Sequence, residues 1–295
     1  MTAKRAKAIK QELGSIAFIL PALIPLAIFV IYPIIRCFVL SFFSYNMTST
    51  MKFIGWRNFQ KLFGNEDIYN TILRTLQYAL VILPVTLLGG FSLGVMLSGK
   101  NKANVVFRTL LFAPHVTSMV AISSVWLFIL HPQYGALNMV LGVFGITPVR
   151  WLNEPGTAFW CIAFVTMWRL LGYDTIVFIG GIQNISGDVL EAATIDGASR
   201  FDTIRHIIFP LTSPTTFMLM ILNTITILKM FTVINVLTGG GPAKSTQNLV
   251  IMLHDYAFNR FQIGYASAIS TVLFLIILVI HVAQRTLERK VQYEQ

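Results

Sequence analysis

The sequence predicts an all-α, polytopic membrane protein with six transmembrane helices, and three observations carry that prediction. Of its 295 residues, 55% are hydrophobic and only 12% charged, and the mean hydropathy is +0.71, whereas charged residues make up about a quarter of an ordinary soluble domain. Apolar runs long enough to span a bilayer, roughly 20 residues each, recur six times. The net charge of +10 is dispersed over the ends of those runs, as membrane orientation requires, and is not gathered into the basic face that nucleic-acid binding needs.

The runs fall at about 15–43, 71–97, 108–130, 158–182, 211–236 and 263–283. The first follows Lys4, Arg5, Lys7 and Lys10 in the tail 1–14 and is too long for a cleaved signal segment, so it is expected to be retained. Pro21, Pro25, Pro33, Pro84 and Pro114 lie inside runs, where neighbouring helices can satisfy the carbonyls that proline frees. Between the first two runs, Phe53 to Phe63 has the pattern of an amphipathic helix with Trp and Phe suited to the headgroup layer; a plain surface helix is the alternative. With six spans both termini share a side. The N-tail, the 98–108 loop, the insert 183–210 and the C-tail 284–295 hold twelve Lys and Arg against six in the opposite loops, which places tails and insert in the cytoplasm. Cys37 and Cys161 lie within apolar runs and read as packing residues.

Catalytic spacings are missing. Gly94 and Gly99-Lys100-Asn101 come within one residue of a phosphate-binding loop, but they close an apolar run where such a loop follows a strand, and Asn101 lacks the hydroxyl that binds magnesium. The five histidines have no metal-site spacing, and no nucleophile elbow occurs. We therefore expect no catalytic or metal site and no cofactor in this chain. Polar groups inside the spans are costly and are functional candidates. Trp168, Tyr173, Asn223 and Thr226 are candidates for a substrate pathway, near Arg169, Asp174 and Lys229; residues 170–173 and 223–226 fall near the midplane, and Tyr173 and Asn223 combine that depth with chemistry suited to a sugar. The alternative is interhelical packing by the polar groups and snorkelling by the cations. Gly239, Gly240, Gly241 and Pro242 predict a shaped loop on the far side of the membrane from the insert.

The insert itself reads as two short helices. Ser186 or Asp188 caps the first, which runs to about Ile195 and ends at Gly197; Ser199 and Asp202 form a capping box for the second, which ends at Pro210. DNA binding is disfavoured because the segment is acidic and runs directly into a span. Close-approaching Ala192, Ala193 and Ala198 with the charge of Glu191 suit a protein partner. Here the chain resembles a known family. Glu191-Ala192-Ala193, three residues, Gly197, nine residues, Ile207, one residue, then Phe209-Pro210 is similar to the EAA signature of permease subunits of binding-protein-dependent ABC importers, departing only at Phe209, where the family usually has Leu. "TGGGPAKSTQNL", "FQIGYASAIS" and "FIGWRNFQKLF" look like its maltose-type carbohydrate branch. The resemblance implies a bacterial inner or plasma membrane protein whose residues 15–283 form a permease domain. It further implies a second permease subunit, two cytoplasmic ATPase subunits that hold ATP and magnesium, and an extracytoplasmic sugar-binding protein. Glu191, Ala192, Ala193, Asp196, Gly197 and Ala198 would form the coupling helix seated on the ATPase. Di- or oligosaccharides are the implied cargo, with polyols or glycerol phosphate as alternatives. A stand-alone secondary transporter or channel would call for embedded coupling acids and inverted repeats, and only Asp174 is embedded.

Overall fold

The computed structural model describes residues 19–48, 50–99 and 101–293, so the expected N-tail lies outside the described residues. Among these the chain is helical apart from one two-stranded ladder. Five helices are long and apolar enough to cross a membrane, or six if one sharply bent pair is a single crossing. The chain divides into two compact units.

The first unit joins residues up to Asn65 with Leu253–Val272. Helix α1 (Ile19–Leu40) exposes its whole apolar window, the surface expected of a lipid-facing span. It opens a π turn at Ala27–Ile31 just ahead of Pro33, so the proline's missing N–H falls where the ladder is already shifted. Strands β1 (Phe43–Ser44) and β2 (Lys52–Phe53) pair antiparallel, and α2 (Arg57–Phe63) follows. Asn58, buried, donates from Nδ2 to the carbonyls of Ser41 and Phe43 at 2.8 and 2.9 Å, tying α2 to the turn after α1. Phe42, Trp56 and Phe59 close this corner with ring centroids 5.2 to 5.6 Å apart.

The second unit holds Glu66–Met252 and residues from Leu273 onward. Its elements are α3 (Glu66–Leu97), α4 (Lys102–Val116), α5 (Met119–Ile129), α6 (Ala136–Val143), α7 (Pro155–Gln183), α8 (Gly187–Ile195), α9 (Arg200–Thr203), α10 (Ser213–Leu228), α11 (Thr232–Leu237) and α12 (Leu249–His254), the last of which runs on into the first unit from Leu253. The long α13 (Ile263–Tyr293) begins in the first unit and ends in this one. Helix α7 is central: it makes its most extensive pairing with α3 and also packs on α4 and α10. Tyr78 stacks on Phe159 at 4.5 Å above a core of Ile82, Ile162, Val165, Ile227 and Ile234. On the α4 side a Cβ at Gly172 would sit 1.8 Å from the Leu111 carbonyl oxygen, so only glycine lets the two backbones meet.

Three segments depart from the continuous elements that the sequence suggests. Where a single run is expected over 108–130, α4 and α5 meet at 101°, because Thr117 and Ser118 are both extended. The run at 211–236 is interrupted after Leu228, and the helix restarts at Thr232. The second helix of the insert does not stop at Pro210. A π turn over Ile204–Ile208 leads into the turn Phe209–Leu211, which contains Pro210; the Phe209 N–H reaches back to the Ile204 carbonyl, and Pro210 then sits in a first-turn position where no N–H is missed.

Candidate functional site

The insert is built by local rules. Helix α8 ends in a Schellman motif: Gly197 N–H donates to Thr194 O at 3.1 Å and Ala198 N–H to Ala193 O at 3.0 Å, with Gly197 at φ +75°. That left-handed turn costs an L-residue about 1–2 kcal/mol and glycine nothing comparable. Ser199 then caps α9. Its Oγ accepts from the Asp202 N–H at 3.2 Å and donates to the Asp202 carboxylate, and this hydrogen bond, more than any other influence, holds that carboxyl below the usual carboxylate range. Ser186, at the N-cap of α8, makes no side-chain capping bond. Ala193 is buried, while Glu191, Ala192, Asp196 and Gly197 are exposed and Ala198 is half-buried. Ile195 is 85% and Phe201 66% exposed. An apolar side chain that passes from water into a protein contact gains about 1.5–3 kcal/mol, so this surface is chemically suited to dock on another protein.

The midplane candidates do not form one cluster. Asn223 is buried and donates to Asp174 Oδ2 at 2.7 Å, with Thr86 Oγ1 at 3.5 Å. It thus bridges α10 to α7 and α3. Nearby, Gln284 donates to Thr224 Oγ1 at 2.7 Å, tying α13 to α10. Tyr173 stacks on His115 at 4.4 Å, and Trp168 meets Trp126 edge-on at 5.7 Å. Thr226 lines a small cavity of about 140 Å³ together with Thr166, Arg169, Met230 and Thr232. Arg169 reaches from this cavity to the His115 carbonyl at 3.3 Å, which the end of α4 leaves without a helical partner. Two interrupted helices therefore converge on one cavity, the arrangement in which membrane carriers expose backbone and polar groups to a solute. Thr166, Met230 and His115 are missed by sequence reasoning, since nothing local marks the bend at 117–118 or the gap at 229–231.

The glycine loop is a built structure. Gly239 and Gly240 have φ of +60° and +94°, followed by a cis Gly241–Pro242 bond. Thr246, fully buried, donates to Gly241 O at 2.7 Å and sits 2.8 Å from the Thr238 hydroxyl. Tyr78 OH donates to the Thr246 carbonyl at 3.3 Å, which anchors the loop to α3. Gly239, Gly241 and Pro242 line a cleft of about 840 Å³ with His131, Gln133, Arg150 and Asn153, whereas Gly240 turns toward Ile251. The near-miss phosphate loop serves helix packing and capping. Gly94 abuts Phe178, and the Asn101 side chain caps α4 by accepting from the Asn104 N–H at 2.7 Å.

Comparison with known proteins gives the chain a context. The model of the family described as "Binding-protein-dependent transport system inner membrane component" matches residues 86–293. The probable ABC transporter permease protein YurN of Bacillus subtilis is 35% identical over 275 residues, which cover 90% of this chain and 93% of that protein. The trehalose/maltose transport system permease protein MalF of Thermococcus litoralis is 30% identical, with 88% of each chain covered. A chain of a bacterial ABC transporter involved in import of the acidic polysaccharide alginate has a TM-score of 0.85 at 23% identity, over 97% of this chain and 99% of that one. The alginate transporter has also been solved in complex with an alginate pentasaccharide-bound periplasmic protein. These structures have the same fold.

Proposed function

We propose, since the chain belongs to the family of binding-protein-dependent transport system inner membrane components, that it is one of two permease subunits of an ATP-driven importer of di- or oligosaccharides. The family is a transport component of the membrane and not a catalytic one. A trehalose/maltose permease and an alginate transporter among its likenesses support the sugar class, and the periplasmic partner of the latter supports delivery by a binding protein.

One observation carries the mechanical part of the reading: the exposed, Schellman-closed helix Gly187–Ile195 is joined to α10 by the short segment through the π turn at Ile204–Ile208. In this reading ATP and magnesium are held by two cytoplasmic ATPase subunits. Glu191, Ala192 and Ala193 with Asp196, Gly197 and Ala198 form the surface that seats on one of them. Both termini lie on the insert's side of the membrane. Closure of the ATPases moves α8, and the turn at Gly197 and the continuous backbone past Pro210 pass that displacement to α10. The interruption at Lys229–Phe231 lets α10 and α11 shift relative to each other, so the cavity by Thr226 and Arg169 opens alternately to each side. Trp168, Tyr173 and Thr226 flank the sugar's path, Asn223 braces its wall through Asp174, and Gly239 to Pro242 shape the mouth that faces the binding protein.

Glu191→Ala and Gly197→Val test the coupling role. Sugar uptake should fall at least tenfold in cells while the amount of chain in the membrane stays at the wild-type level. Full-rate uptake in both variants would refute it.

A further inference from the structure

The first unit contains a second cavity that transport leaves unused. About 380 Å³ in volume, it lies between the turn after α1, helix α2 and the start of α13. Its position relative to the bilayer follows from the chain. Phe43 and Tyr45 come directly after one span, Gln262 and Tyr265 stand at the start of another, and the two ends touch, with Gly264 N–H donating to Tyr45 O at 3.1 Å. Trp56, on the same corner, is 65% exposed, as an indole in the headgroup layer would be.

The lining is cationic and rich in donors. Arg57 and Lys61 stand one turn apart on α2, and Asn58, Tyr45, Gln262 and Tyr265 complete the wall; no lining residue is acidic. Lys61 Nζ lies 5.0 Å from the centroid of the Tyr265 ring and 3.5 Å from Gln262 Oε1, so its charge meets a ring face and an amide, not a carboxylate. The other nearby cation, Arg260, is already paired with Asp255 at 2.8 Å. Tyr265 is only 4% exposed; its ring lines the cavity beneath Lys61, and its buried hydroxyl has Asn65 and Tyr256 as polar neighbours. Arg57 and Lys61 thus line a cavity that supplies no carboxylate, and an anionic oxygen is the acceptor that such a pair of donors binds most strongly.

We infer that this cavity binds the phosphate of an anionic phospholipid headgroup, with Arg57 and Lys61 supplying the charge and charge-assisted hydrogen bonds. The lipid then pins the ends of the first and last spans together at the membrane–water boundary. Each cation near a headgroup strengthens attraction about fivefold, so the pair accounts for roughly 30-fold.

The test uses the full chain purified in neutral detergent, titrated with phosphatidylglycerol, phosphatidylcholine or inorganic phosphate and read by native mass spectrometry. Phosphatidylglycerol should bind in preference to the other two. Arg57→Gln with Lys61→Gln should weaken it about 30-fold at unchanged melting temperature, both side chains being exposed. Lys102→Gln, an exposed cation outside the lining of this cavity, should not weaken it at all. Equal binding of the two lipids, or wild-type affinity in the double variant, overturns the proposal. Inorganic phosphate that binds as well as phosphatidylglycerol and is lost in the double variant would mark a soluble-anion site and overturn the lipid assignment.

Discussion

Three alanine substitutions on α7 should separate the ways in which glycine serves this bundle. At Gly172 the added Cβ falls 1.8 Å from the Leu111 carbonyl oxygen and 2.6 Å from its carbon, and at least 3.0 Å is needed. The obstacle is backbone, so α4 and α7 must separate by about 1.2 Å, an overpacking that costs about 1–3 kcal/mol and occasionally more. The same separation stretches the bond from Arg169 to the His115 carbonyl, already 3.3 Å long. At Gly181 the nearest atom, 2.6 Å away, is the Thr215 hydroxyl, a side-chain atom and not backbone, so the cost should be small beside that at Gly172. At Gly180 nothing lies within 4 Å, and alanine should gain the roughly 0.5–1 kcal/mol by which it exceeds glycine in a helix. Melting temperatures of the detergent-purified variants, at about 2–4 °C per kcal/mol for a chain of this size, should therefore rank Gly180→Ala at or above wild type, Gly181→Ala near it and Gly172→Ala several degrees below. If Gly172→Ala melted with Gly180→Ala, the close approach of α4 and α7 would be wrong.

Three more outcomes follow from the same geometry. Gly197→Ala meets no atom, so its effect should be the left-handed strain alone, about 1–2 kcal/mol, seen as faster amide exchange over 187–196; Gly197→Asn should recover part of the loss. Asn223→Ala removes the 2.7 Å partner of a fully buried Asp174 and should cost about 1–3 kcal/mol of stability, read as a lower melting temperature of the detergent-purified chain. Because the Asp202 carboxyl is held low chiefly by Ser199, its stabilisation of α9 is fully present above the ordinary carboxylate pKa of about 3.9 and is lost only as pH falls through the depressed value. Amide protection over 200–203 should thus survive to pH 3.9 and, in Ser199→Ala, disappear at higher pH.

Local signals made the insert readable in the sequence. Gly197 has to be glycine because of its own φ, and Ser199 and Asp202 bond to each other across one turn, so spacing alone marks both. The spans are equally legible as composition. Their interruptions are not, because distant partners stabilise them: the carbonyl of Met230, freed where α10 gives way to α11, is taken by Asn248 from beyond the glycine loop, and Arg169 takes that of His115. Pro210 reads as a stop because the sequence does not show that a π turn precedes it. Asn223 has a depth that sequence can give, but the side it faces depends on Asp174 of another helix.

The coupling claim rests on the exposed face of α8, and one measurement tests it most directly. The chain is co-expressed with the ATPase and second permease subunits proposed for it, purified through a tag on this chain, and the ATPase bound per permease is measured for wild type and for Ile195→Asp. Ile195 is 85% exposed and adjoins Asp196 of the proposed contact, so the substitution places a charge at that contact without opening a cavity in the core. The account predicts that the ATPase is lost from the variant while this chain and its partner permease stay together in the membrane. Recovery of the ATPase at the wild-type ratio, with wild-type sugar uptake, would contradict it.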